Sequence, residues 1–386
     1  MKTWLEISQD NILNNIKSLR ALLKPKTLFM AVVKSNAYGH GLEEMSKILT
    51  PSSSLLHKEE RSAGVDWFGV DNIDEALSLR KTGVKQPILI LGYIPFDMVG
   101  EAVENDISFV AYNNELLDYL SAQNFKKTKK AKIHIKVETG TARQGIEGKE
   151  LIAFVKKTTA NKNIFIEGIY THYANVEDTT DPSFAMEQLK RFNENVAAAE
   201  KIVKIPIKHS ACSAALINYP KTHFDMVRAG ISMYGMWSSN EAKLVAKQKN
   251  IKLNLKPALT WKTQIVQIKN LPANTPIGYG LSEKTKRLTR IGILPIGYWD
   301  GYDRKLSNIG EVIVDGKRAK ILGRVCMNMS IIDITDIPEA KLFNSVILLG
   351  KSGEEEITAE ELAKKVGTIN YEITTKINPL IKRIIQ

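Results

Sequence analysis

Eight short β-like segments extend to about residue 230, and stretches with helical periodicity lie between them. Parallel strands must be joined by a crossover, usually a helix, so this alternation predicts a parallel sheet. Eight repeats in that length favour a closed (β/α)8 barrel of the TIM type. An open doubly wound sheet is the alternative if a strand is miscounted, but no GxGxxG motif follows the first strand. The strand-like segments are residues 28–33, 67–70, 87–91, 107–112, 131–137, 164–171, 205–209 and 224–227.

After Asn240 the pattern changes, and strand follows strand. Short alternating or β-rich segments are separated there by Pro, Gly, Asn and Asp turns, which is typical of a mostly β domain. One helix is predicted over residues 359–366, with Thr358 as its N-cap. We therefore predict two domains, a barrel over residues 1–240 and a mostly β C-terminal domain over residues 241–386. The strands predicted in the second domain are residues 259–268, 289–296, 311–314, 319–322, 329–334 and 345–349.

The composition is that of an ordinary folded protein, because 44% of its 386 residues are hydrophobic and this is enough for two domain cores. No segment approaches the roughly 18 apolar residues of a membrane-spanning helix, and no signal-peptide core is visible. We expect a soluble, cytoplasmic protein. Its two cysteines, Cys212 and Cys326, cannot form a disulfide framework and are expected to be reduced. No metal site is predicted.

The chain is basic, with 54 Lys and Arg against 42 Asp and Glu and a formal net charge of +12. Its densest basic cluster is KKTKKAK, residues 126–132, which makes nucleic acid the first partner to consider. The remaining surplus is spread along the chain, no aromatic residues interleave with the cluster, and no nucleic-acid-binding motif accompanies it. We therefore predict a solvated loop, with no nucleic-acid and no membrane partner.

Barrel enzymes carry their reactive side chains at the C-terminal ends of the strands, so the residues after each strand-like segment are candidates for a site. Lys34, in the run AVVKSNAYGHG (residues 31–41), directly follows the first segment. By itself, a lysine at a strand end is usually a solvated charge. Here, however, polar or small residues that suit a site follow five of the eight segments: Lys34; Lys136 with Arg143; His172; Ser213; and Arg228 with Gly230 and Ile231.

The motifs at these strand ends resemble, in order, those of the alanine racemases, and the resemblance extends over nearly the whole chain. It implies that Lys34 holds pyridoxal 5'-phosphate (PLP) as a Schiff base. Hydroxyl groups and the backbone N–H groups of a glycine region suit a dianionic phosphate. By resemblance, the residues that bind the phosphate are Tyr38, Ser213, Gly230, Ile231 and Tyr371.

Arg228 resembles the arginine that faces the pyridine nitrogen of PLP in this family. Many PLP enzymes place a carboxylate there, which keeps the ring protonated and makes it a strong electron sink. A guanidinium stays charged and can only donate, so the ring nitrogen remains unprotonated. This weaker electron sink suits rapid return of a proton and disfavours transamination and decarboxylation. In the family, a hydrogen-bond chain through the residue matching His172 connects this arginine to a second base.

Racemisation removes a proton from one face of Cα and returns a proton to the other, so it needs two acid–base groups. Lys34 can serve one face. Tyr279, in PIGYGLSE, resembles the second base of the family, which comes from the other subunit; a strand-edge aromatic is its alternative role. Tyr298 and Met327 resemble further residues from the partner that bind substrate, Met327 through its backbone N–H. The resemblance therefore implies a homodimer with shared active sites.

Lys136 and Arg143 have the spacing seen in this family, where the lysine is often carbamylated and its new carboxylate orients the arginine toward substrate. Without this modification, two like charges would face each other, which is unfavourable. The loop ETGTARQG departs from the commoner methionine-containing loop through Ala142 and Gln144. Asn328 stands where an aspartate is usual. These differences leave the exact substrate preference open.

The resemblance implies a PLP-dependent racemase that interconverts L- and D-alanine and supplies D-alanine for peptidoglycan. By resemblance, Tyr279 and Tyr371 narrow the entrance beside the cofactor, which favours the methyl side chain of alanine. The nearest alternative is a serine or broad-specificity amino-acid racemase of the same fold. A decarboxylase of this fold is disfavoured by Arg228, and a PLP-carrying homeostasis protein lacks a β domain. A nucleic-acid-binding protein would show salt-sensitive association and no visible chromophore.

Overall fold

The chain forms two compact units, each assembled from separate parts of the sequence. The computed structural model describes residues 1–50, 64–126 and 129–386, so residues 127 and 128 of the predicted basic loop lie outside the described residues. The barrel unit comprises Asn11–Ala37 and Met45–Lys256. The β unit comprises Met1–Asp10, Tyr38–Glu44 and Pro257–Gln386. The predicted domain boundary at residue 240 stays a prediction.

Eight parallel strands close the barrel in chain order, which confirms the predicted fold class. The last strand pairs with the first, from Leu28 with Met226 to Ala31 with Ala229. The first four strands are buried along nearly their whole length, as expected for strands enclosed by helices. The barrel strands are β2 (Leu28–Val32), β3 (Trp67–Val70), β4 (Ile88–Ile90), β5 (Ile107–Ala111), β6 (Ala131–Lys136), β7 (Ile164–Tyr170), β8 (Ile207–His209) and β9 (Met226–Ala229).

Helices follow the barrel strands, and side chains cap several of them. Asn72, Asn113 and Ser239 each accept a hydrogen bond from a backbone N–H in the first turn of the helix that follows. The helices before residue 250 are α1 (Gln9–Arg20), the short turn α2 (Lys34–Tyr38), α3 (Leu42–Leu49), α4 (Ile73–Lys81), α5 (Val99–Glu104), α6 (Asn114–Ala122), α7 (Gly148–Ala160), α8 (Ser183–Glu200), α9 (Ser213–Asn218) and α10 (Asn240–Gln248).

The β unit contains three sheets. Its strands are β1 (Thr3–Ile7), β10 (Leu259–Gln264), β11 (Gln267–Leu271), β12 (Pro276–Ile277), β13 (Glu283–Lys284), β14 (Thr289–Leu294), β15 (Glu311–Val314), β16 (Lys317–Lys320), β17 (Ser330–Asp333), β18 (Ser345–Ser352), β19 (Glu355–Ile357) and β20 (Lys382–Ile385). The largest sheet has the order β16-β15-β18-β10-β1-β20, with β19 paired to β18. The other two have the order β11-β14-β17 and the pair β12-β13. Two helices, α11 (Ala359–Val366) and α12 (Asn370–Thr375), complete the unit.

Parts of the β unit differ from the prediction. The prediction of a single strand over residues 259–268 is wrong. The backbone N–H of Ile265 donates to Asn344 O, whereas that of Val266 donates to Ile293 O, so the chain passes from one sheet to another there. The strands β1 and β20 were not predicted; they pair in parallel with each other, a contact that local periodicity does not reveal. Helix α11 and its N-cap Thr358 lie where they were predicted.

Within the described ranges, no helix is long and apolar enough to cross a membrane. Cys212 is buried and Cys326 is half-buried, and both are free cysteines, as predicted. The cytoplasmic location stays a prediction.

Candidate active site

Lys34 begins a turn with a left-handed backbone at the C-terminal end of β2. The φ angles of Ser35, Asn36 and Ala37 are 56°, 53° and 53°, and Tyr38 follows with 54°. This conformation costs an L-residue roughly 1–2 kcal/mol, so four in succession need strong support from their surroundings. Strained backbone of this kind is concentrated at functional sites. The candidate lysine therefore lies on a segment that the fold holds in an unfavourable conformation.

Glu75 supplies part of that support. Its carboxylate accepts hydrogen bonds from the backbone N–H groups of Asn36 at 3.1 Å and Asp71 at 2.9 Å. Glu75 lies in the first turn of α4, and its own N–H donates to Asn72 Oδ1 at 3.0 Å. The carboxylate thus ties the turn after Lys34 to the neighbouring connection between β3 and α4.

Arg228 lies on β9 with only 4% of its surface exposed. Its Nη1 donates to His209 Nδ1 at 2.7 Å, and its Nη2 donates to the carbonyl oxygens of Thr171 and Ser210, both at 2.9 Å. Nη2 also lies 3.3 Å from His172 Nδ1. No carboxylate in the described part of the chain pairs with this guanidinium. A buried cation is therefore held by neutral acceptors alone.

The surroundings of Arg228 keep two histidines neutral. Burial, followed by the charge of Arg228, lowers the pKa of His209 well below its usual range. Burial and the charges of Arg228, Arg143 and Lys136 lower the pKa of His172 in the same way. A neutral imidazole accepts at one ring nitrogen and donates from the other. Both histidines can therefore accept from the guanidinium at Nδ1 and donate elsewhere from Nε2.

Hydroxyl and backbone N–H groups converge at the ends of β8 and β9. Ser213 Oγ accepts from the backbone N–H groups of Gly230 at 3.0 Å and Ser232 at 3.4 Å. Ile231 begins a 3-10 helix directly after Gly230, and the first N–H groups of a helix have no acceptor within it. The buried Oγ of Ser232 has no hydrogen-bond partner within the described residues. This turn therefore offers several donors to an anion.

These donors fit PLP. A dianionic phosphate takes N–H and O–H donors such as those around Ser213 and Gly230. A primary amine such as Lys34 reacts with an aldehyde. The strongest observation is Arg228, because a buried cation is costly unless acceptors complete its hydrogen bonds, and its Nε makes none within the described residues. An unprotonated ring nitrogen is an acceptor of the required kind.

Lys136 is buried at the end of β6 and donates to Gln144 Oε1 at 2.7 Å. Burial and the nearby charge of Arg143 lower the pKa of Lys136 to about 8. Arg143 itself is exposed, and the backbone N–H of Arg143 donates to the Glu138 carboxylate at 3.3 Å. In the same loop, Ala142 has a φ of 50°. The hydrogen-bond partner of Lys136 is thus Gln144 and not Arg143.

In the β unit, Tyr38 and Tyr371 lie beside each other, with ring centroids 6.0 Å apart and an interplanar angle of 44°. Gly39 has a φ of 85°, and a Cβ there would lie 2.0 Å from the carbonyl oxygen of Thr374 on α12. Only glycine permits this close approach. Arg383 donates to the carbonyl oxygen of Gly39 at 3.0 and 3.2 Å. The two tyrosines are therefore held together by backbone contacts around Gly39.

Tyr279, Tyr298 and Met327 line an open cleft of about 460 Å³ in the β unit. All three are exposed, by 72%, 42% and 55% respectively. The backbone N–H of Tyr298 donates to the carbonyl oxygen of Cys326 at 3.0 Å, which brings Tyr298 next to Met327. Among the described residues, no hydrogen bond uses the backbone N–H of Met327. The cleft therefore brings the three residues together with a free donor on its surface.

The structure brings the predicted residues together within each unit. His172 contacts Arg228, and Ser213 contacts Gly230, at the C-terminal ends of the barrel strands. The β unit joins Tyr38 to Tyr371 and gathers Tyr279, Tyr298 and Met327 around one cleft. In the part of the chain that the structure describes, no hydrogen bond joins Lys136 to Arg143. The roles of all these residues stay predictions.

The sequence did not reveal four residues that support these groups. His134 lies two residues before Lys136 on β6, so the two side chains point to the same face, and this spacing could have indicated it. His209 ends a predicted strand and was overlooked beside Ser213. Glu75 and Glu167 carry no local signal, because the contacts that matter come from distant parts of the chain.

The chain matches the family model for the alanine racemase N-terminal domain over residues 7–237 and the model for the alanine racemase C-terminal domain over residues 258–385. The alanine racemase of Methanococcus maripaludis is 40% identical over 383 residues, which cover 99% of this chain and 98% of the relative. The alanine racemase of Leptospira interrogans is 39% identical, over 99% of this chain and 95% of the relative.

Solved structures agree. The alanine racemase of Bacillus anthracis with bound L-Ala-P has a TM-score of 0.89 at 34% identity, covering 100% of this chain and 95% of that one. The alanine racemase of Clostridium difficile 630 has a TM-score of 0.90 at 31% identity, covering 100% of this chain and 96% of that one. Since the two family models together span almost the whole sequence, the chain belongs to the alanine racemase family of PLP-dependent amino-acid racemases, which are isomerases.

Proposed function

We propose that this protein interconverts L-alanine and D-alanine with PLP as its cofactor. The observation that carries the proposal is the buried guanidinium of Arg228, whose hydrogen bonds go to neutral acceptors only. When bound, PLP withdraws electrons from the bonds to the substrate Cα. Arg228 can only donate to the ring nitrogen and cannot protonate it fully, which moderates that withdrawal. A moderate electron sink favours proton exchange at Cα over loss of the carboxylate.

The cofactor would be held by one lysine and by a group of hydroxyl and backbone N–H donors. Lys34 Nζ is the covalent attachment point, on a segment whose strained backbone fixes its position. The Ser213 hydroxyl accepts from Gly230 and Ser232 and so keeps its own proton to donate, which together with the N–H of Ile231 suits the phosphate. The residues proposed to bind the phosphate are Tyr38, Ser213, Gly230, Ile231 and Tyr371.

Two groups are proposed to move the proton. Lys34 Nζ exchanges a proton with one face of Cα, and Tyr279 Oη exchanges one with the other face. Tyr279 is 72% exposed, and a phenol in open water is poorly placed for controlled proton transfer. We infer that another copy of the chain covers the cleft of Tyr279, so that each site of a homodimer takes Lys34 from one subunit and Tyr279 from its partner. Tyr298 belongs to the same cleft and would face substrate with it.

The substrate carboxylate is proposed to bind Arg143 and the backbone N–H of Met327. Lys136 is proposed to carry a carbamate that orients Arg143. A pKa of about 8 supports this, because an appreciable fraction of the amine is then uncharged near neutral pH, and only the uncharged amine reacts with carbon dioxide. The amide of Gln144 now accepts from Lys136 and could rotate to donate to the carbamate.

The substrate side chain is proposed to be small. Tyr279 and Tyr371 are rigid rings that would leave room for a methyl group and oppose a longer side chain. An extra hydroxyl is excluded only weakly, by roughly a hundredfold at most, so serine is the marginal substrate. Use of D-alanine for peptidoglycan stays a prediction.

One experiment tests both cofactor and reaction. Protein incubated with PLP is reduced with borohydride and mapped by peptide mass spectrometry, while an unreduced sample is followed by polarimetry with L-alanine. We expect pyridoxyl on Lys34 and loss of optical rotation. Lys47→Ala, which removes an exposed lysine on α3, is the control and should leave both results unchanged.

Three outcomes would contradict the proposal. Pyridoxyl on another lysine would refute the assignment of Lys34. Stable optical rotation in a PLP-loaded protein would refute racemisation of alanine. Comparable turnover of lysine and alanine would favour a broad-specificity racemase.

A further inference from the structure

A chain of buried polar side chains leads from Arg228 across the barrel to a glutamate on β7. His209 Nδ1 accepts from Arg228 at 2.7 Å, and His209 Nε2 lies 2.9 Å from His134 Nδ1. His134 Nε2 in turn lies 3.4 Å from Glu167 Oε2. Both histidines are fully buried, and the Glu167 side chain is 13% exposed. Four side chains from strands β6 to β9 thus connect a buried cation to a carboxylate that it does not touch.

The two ends of this chain fix the direction of its two hydrogen bonds and the tautomer that His134 presents to Glu167. A guanidinium can only donate, so His209 Nδ1 must accept and its proton must lie on Nε2. His209 then donates to His134 Nδ1, which places the proton of His134 on Nε2, toward Glu167. An ionised carboxylate can only accept, so the last contact agrees with the first. The opposite tautomer of either histidine would set two donors or two acceptors against each other.

The backbone is shaped to make room for these contacts. A Cβ on Gly168 would lie 2.3 Å from His134 Nδ1 and 2.5 Å from the adjacent ring carbon. The register between β6 and β7 pairs Ile133 with Ile166 and then His134 with Gly168, so Glu167 is an extra residue in β7. Such a bulge redirects a side chain. Gly168 and the bulge at Glu167 together permit the contact with His134.

Aromatic rings enclose the chain. Tyr170 stacks on His209 with centroids 4.7 Å apart and an interplanar angle of 5°, and Arg228 lies 5.2 Å from the centroid of the same tyrosine ring. Trp67 meets His134 edge-on at 5.5 Å. These contacts restrict the rings to the orientation that the hydrogen bonds require, and they exclude water from the space between the charges.

Glu167 is held as an anion. Ser108, which is buried on β5, donates its hydroxyl to Glu167 Oε2. Burial acts to raise the pKa of the Glu167 carboxyl, but the adjacent His134 ring, the hydrogen bond from Ser108 and the nearby charge of Lys132 outweigh it, and the net shift is downward. At neutral pH the Glu167 carboxylate is therefore ionised and can only accept hydrogen bonds.

We propose that Glu167 is a positioning residue for Arg228, and that it acts through the chain Glu167–His134–His209–Arg228. The carboxylate fixes the tautomers of both histidines, and the histidines present Nδ1 of His209 as the acceptor that orients the guanidinium. This inference rests on the proposed function and extends it, because the guanidinium of Arg228 is the group proposed to donate a hydrogen bond to the ring nitrogen of PLP. Arg228 thereby gains a distant anionic partner without a carboxylate near the ring.

The test compares Glu167→Gln with wild type in two measurements. Nitrogen-15 NMR of histidine-labelled, cofactor-free protein reports which ring nitrogen carries the proton. Wild type should show Nε2–H at both His134 and His209, whereas Glu167→Gln should show mixed tautomers, since an amide can either accept or donate. Titration of PLP followed by absorbance should give a Kd raised roughly tenfold, because a charge-assisted hydrogen bond is about twice as strong as a neutral one.

A double-variant cycle separates this role from a merely structural one. His209→Phe keeps a ring against Tyr170 but breaks the chain, so adding Glu167→Gln should cause no further change in PLP affinity. Glu167→Asp retains the charge and should keep the wild-type tautomers even if it loses stability. Glu187→Gln, at an exposed ion pair on α8, is the control and should match wild type.

Two results would overturn the inference: a proton on Nδ1 of His209 in wild type, or a Glu167→Gln effect that is undiminished in His209→Phe. Absence of PLP binding to wild type would instead refute the proposed function, while the tautomers of the cofactor-free protein would still test the chain.

Discussion

The candidate residues of the barrel unit and of the β unit differ in how the chain surrounds them. Arg228 and Lys136 are each only 4% exposed. Arg228 donates to three groups at the ends of β7 and β8, and Lys136 donates to Gln144 in the loop after β6. Tyr279 and Met327 are 72% and 55% exposed and line an open cleft. The barrel thus holds these two charged groups in a desolvated setting, whereas the β unit presents Tyr279 and Met327 at a surface.

This difference has a physical consequence. Buried charges interact strongly because little water screens them, so small changes around Arg228 should alter the chemistry of the site. Exposed groups gain such strength only when another surface excludes water from them. The β-unit cleft is therefore expected to function against a second copy of the chain, and the barrel groups are expected to be in place beforehand.

Tyr279→Phe tests the exposed side of the comparison and should have the largest effect. Removing the phenol proton should lower kcat with L-alanine by roughly 10,000-fold, the upper range for a general acid or base. The Kd for PLP should stay at the wild-type value, because the cofactor is held elsewhere. Tyr93→Phe removes a hydroxyl from a barrel-unit tyrosine that is 61% exposed and is the matched control. Equal losses of kcat in both variants would argue against Tyr279 as the second base.

Arg228→Glu tests the buried side. A glutamate can share a proton with the ring nitrogen, so the PLP-loaded variant should show a new long-wavelength absorption band with alanine, together with a kcat lowered by roughly 1,000-fold. Arg228→Lys keeps the cation and should show no such band. A variant that binds PLP normally, without a new band and without transamination, would contradict the account of Arg228.

The pH dependence of stability tests how far burial shifts the pKa of Lys136 in the barrel unit. Its pKa is about 8 in the folded protein, against 10.5 for an ordinary lysine, so the unfolded chain binds more protons between these values. The unfolding free energy should therefore rise with pH from about 8 to about 10.5 in wild type relative to Lys136→Met, by up to about 3 kcal/mol. Urea unfolding in buffer free of carbon dioxide measures this difference, and Lys149→Met, at a largely exposed lysine, should show none of it.

The proposed carbamate is examined on the same variants. With carbon-13-labelled bicarbonate, wild type should show a carbamate resonance that Lys136→Met lacks. An unmodified Lys136 under these conditions, still hydrogen-bonded to Gln144, would refute the proposed carbamate.

Tyr371→Ala should have the smallest effect. Removing a rigid ring widens the entrance, so kcat/KM for serine relative to alanine should rise by roughly tenfold. Tyr371→Phe keeps the ring and should leave this ratio unchanged. A ratio that shifts equally in both variants would show that ring size does not set the preference.

Much of the barrel could be predicted from the sequence, because its strands are short apolar or alternating segments that local periodicity identifies, such as LFMAV in β2 and AKIHIK in β6. The β unit was harder, since β1 and β20 are defined by pairing with each other from opposite ends of the chain. The change of sheet at Ile265 and Val266 carries no turn signal, because no Gly, Pro, Asn or Asp interrupts residues 259–268.

In the candidate site, too, some residues could be predicted from local sequence and others could not. Residues such as Lys34 and Arg228 lie at or just after the C-terminal ends of strands, where the barrel fold itself indicates a site. Glu75 and Glu167 act through backbone or histidine contacts that depend on the packing of neighbouring strands, and no motif marks them. The predicted pairing of Lys136 with Arg143 overlooked Gln144, whose side chain is the one in contact with the lysine.

Subunit complementation tests most directly the claim that the barrel and the β unit supply complementary parts of a site shared between two copies. Inactive Lys34→Ala and Tyr279→Phe proteins are mixed in equal amounts, and subunit exchange is verified by native mass spectrometry of tagged chains. Random exchange makes half of the dimers mixed, each with one intact site, so we predict about a quarter of the wild-type activity. Activity no greater than the sum of the two parent proteins, despite verified exchange, would contradict the account.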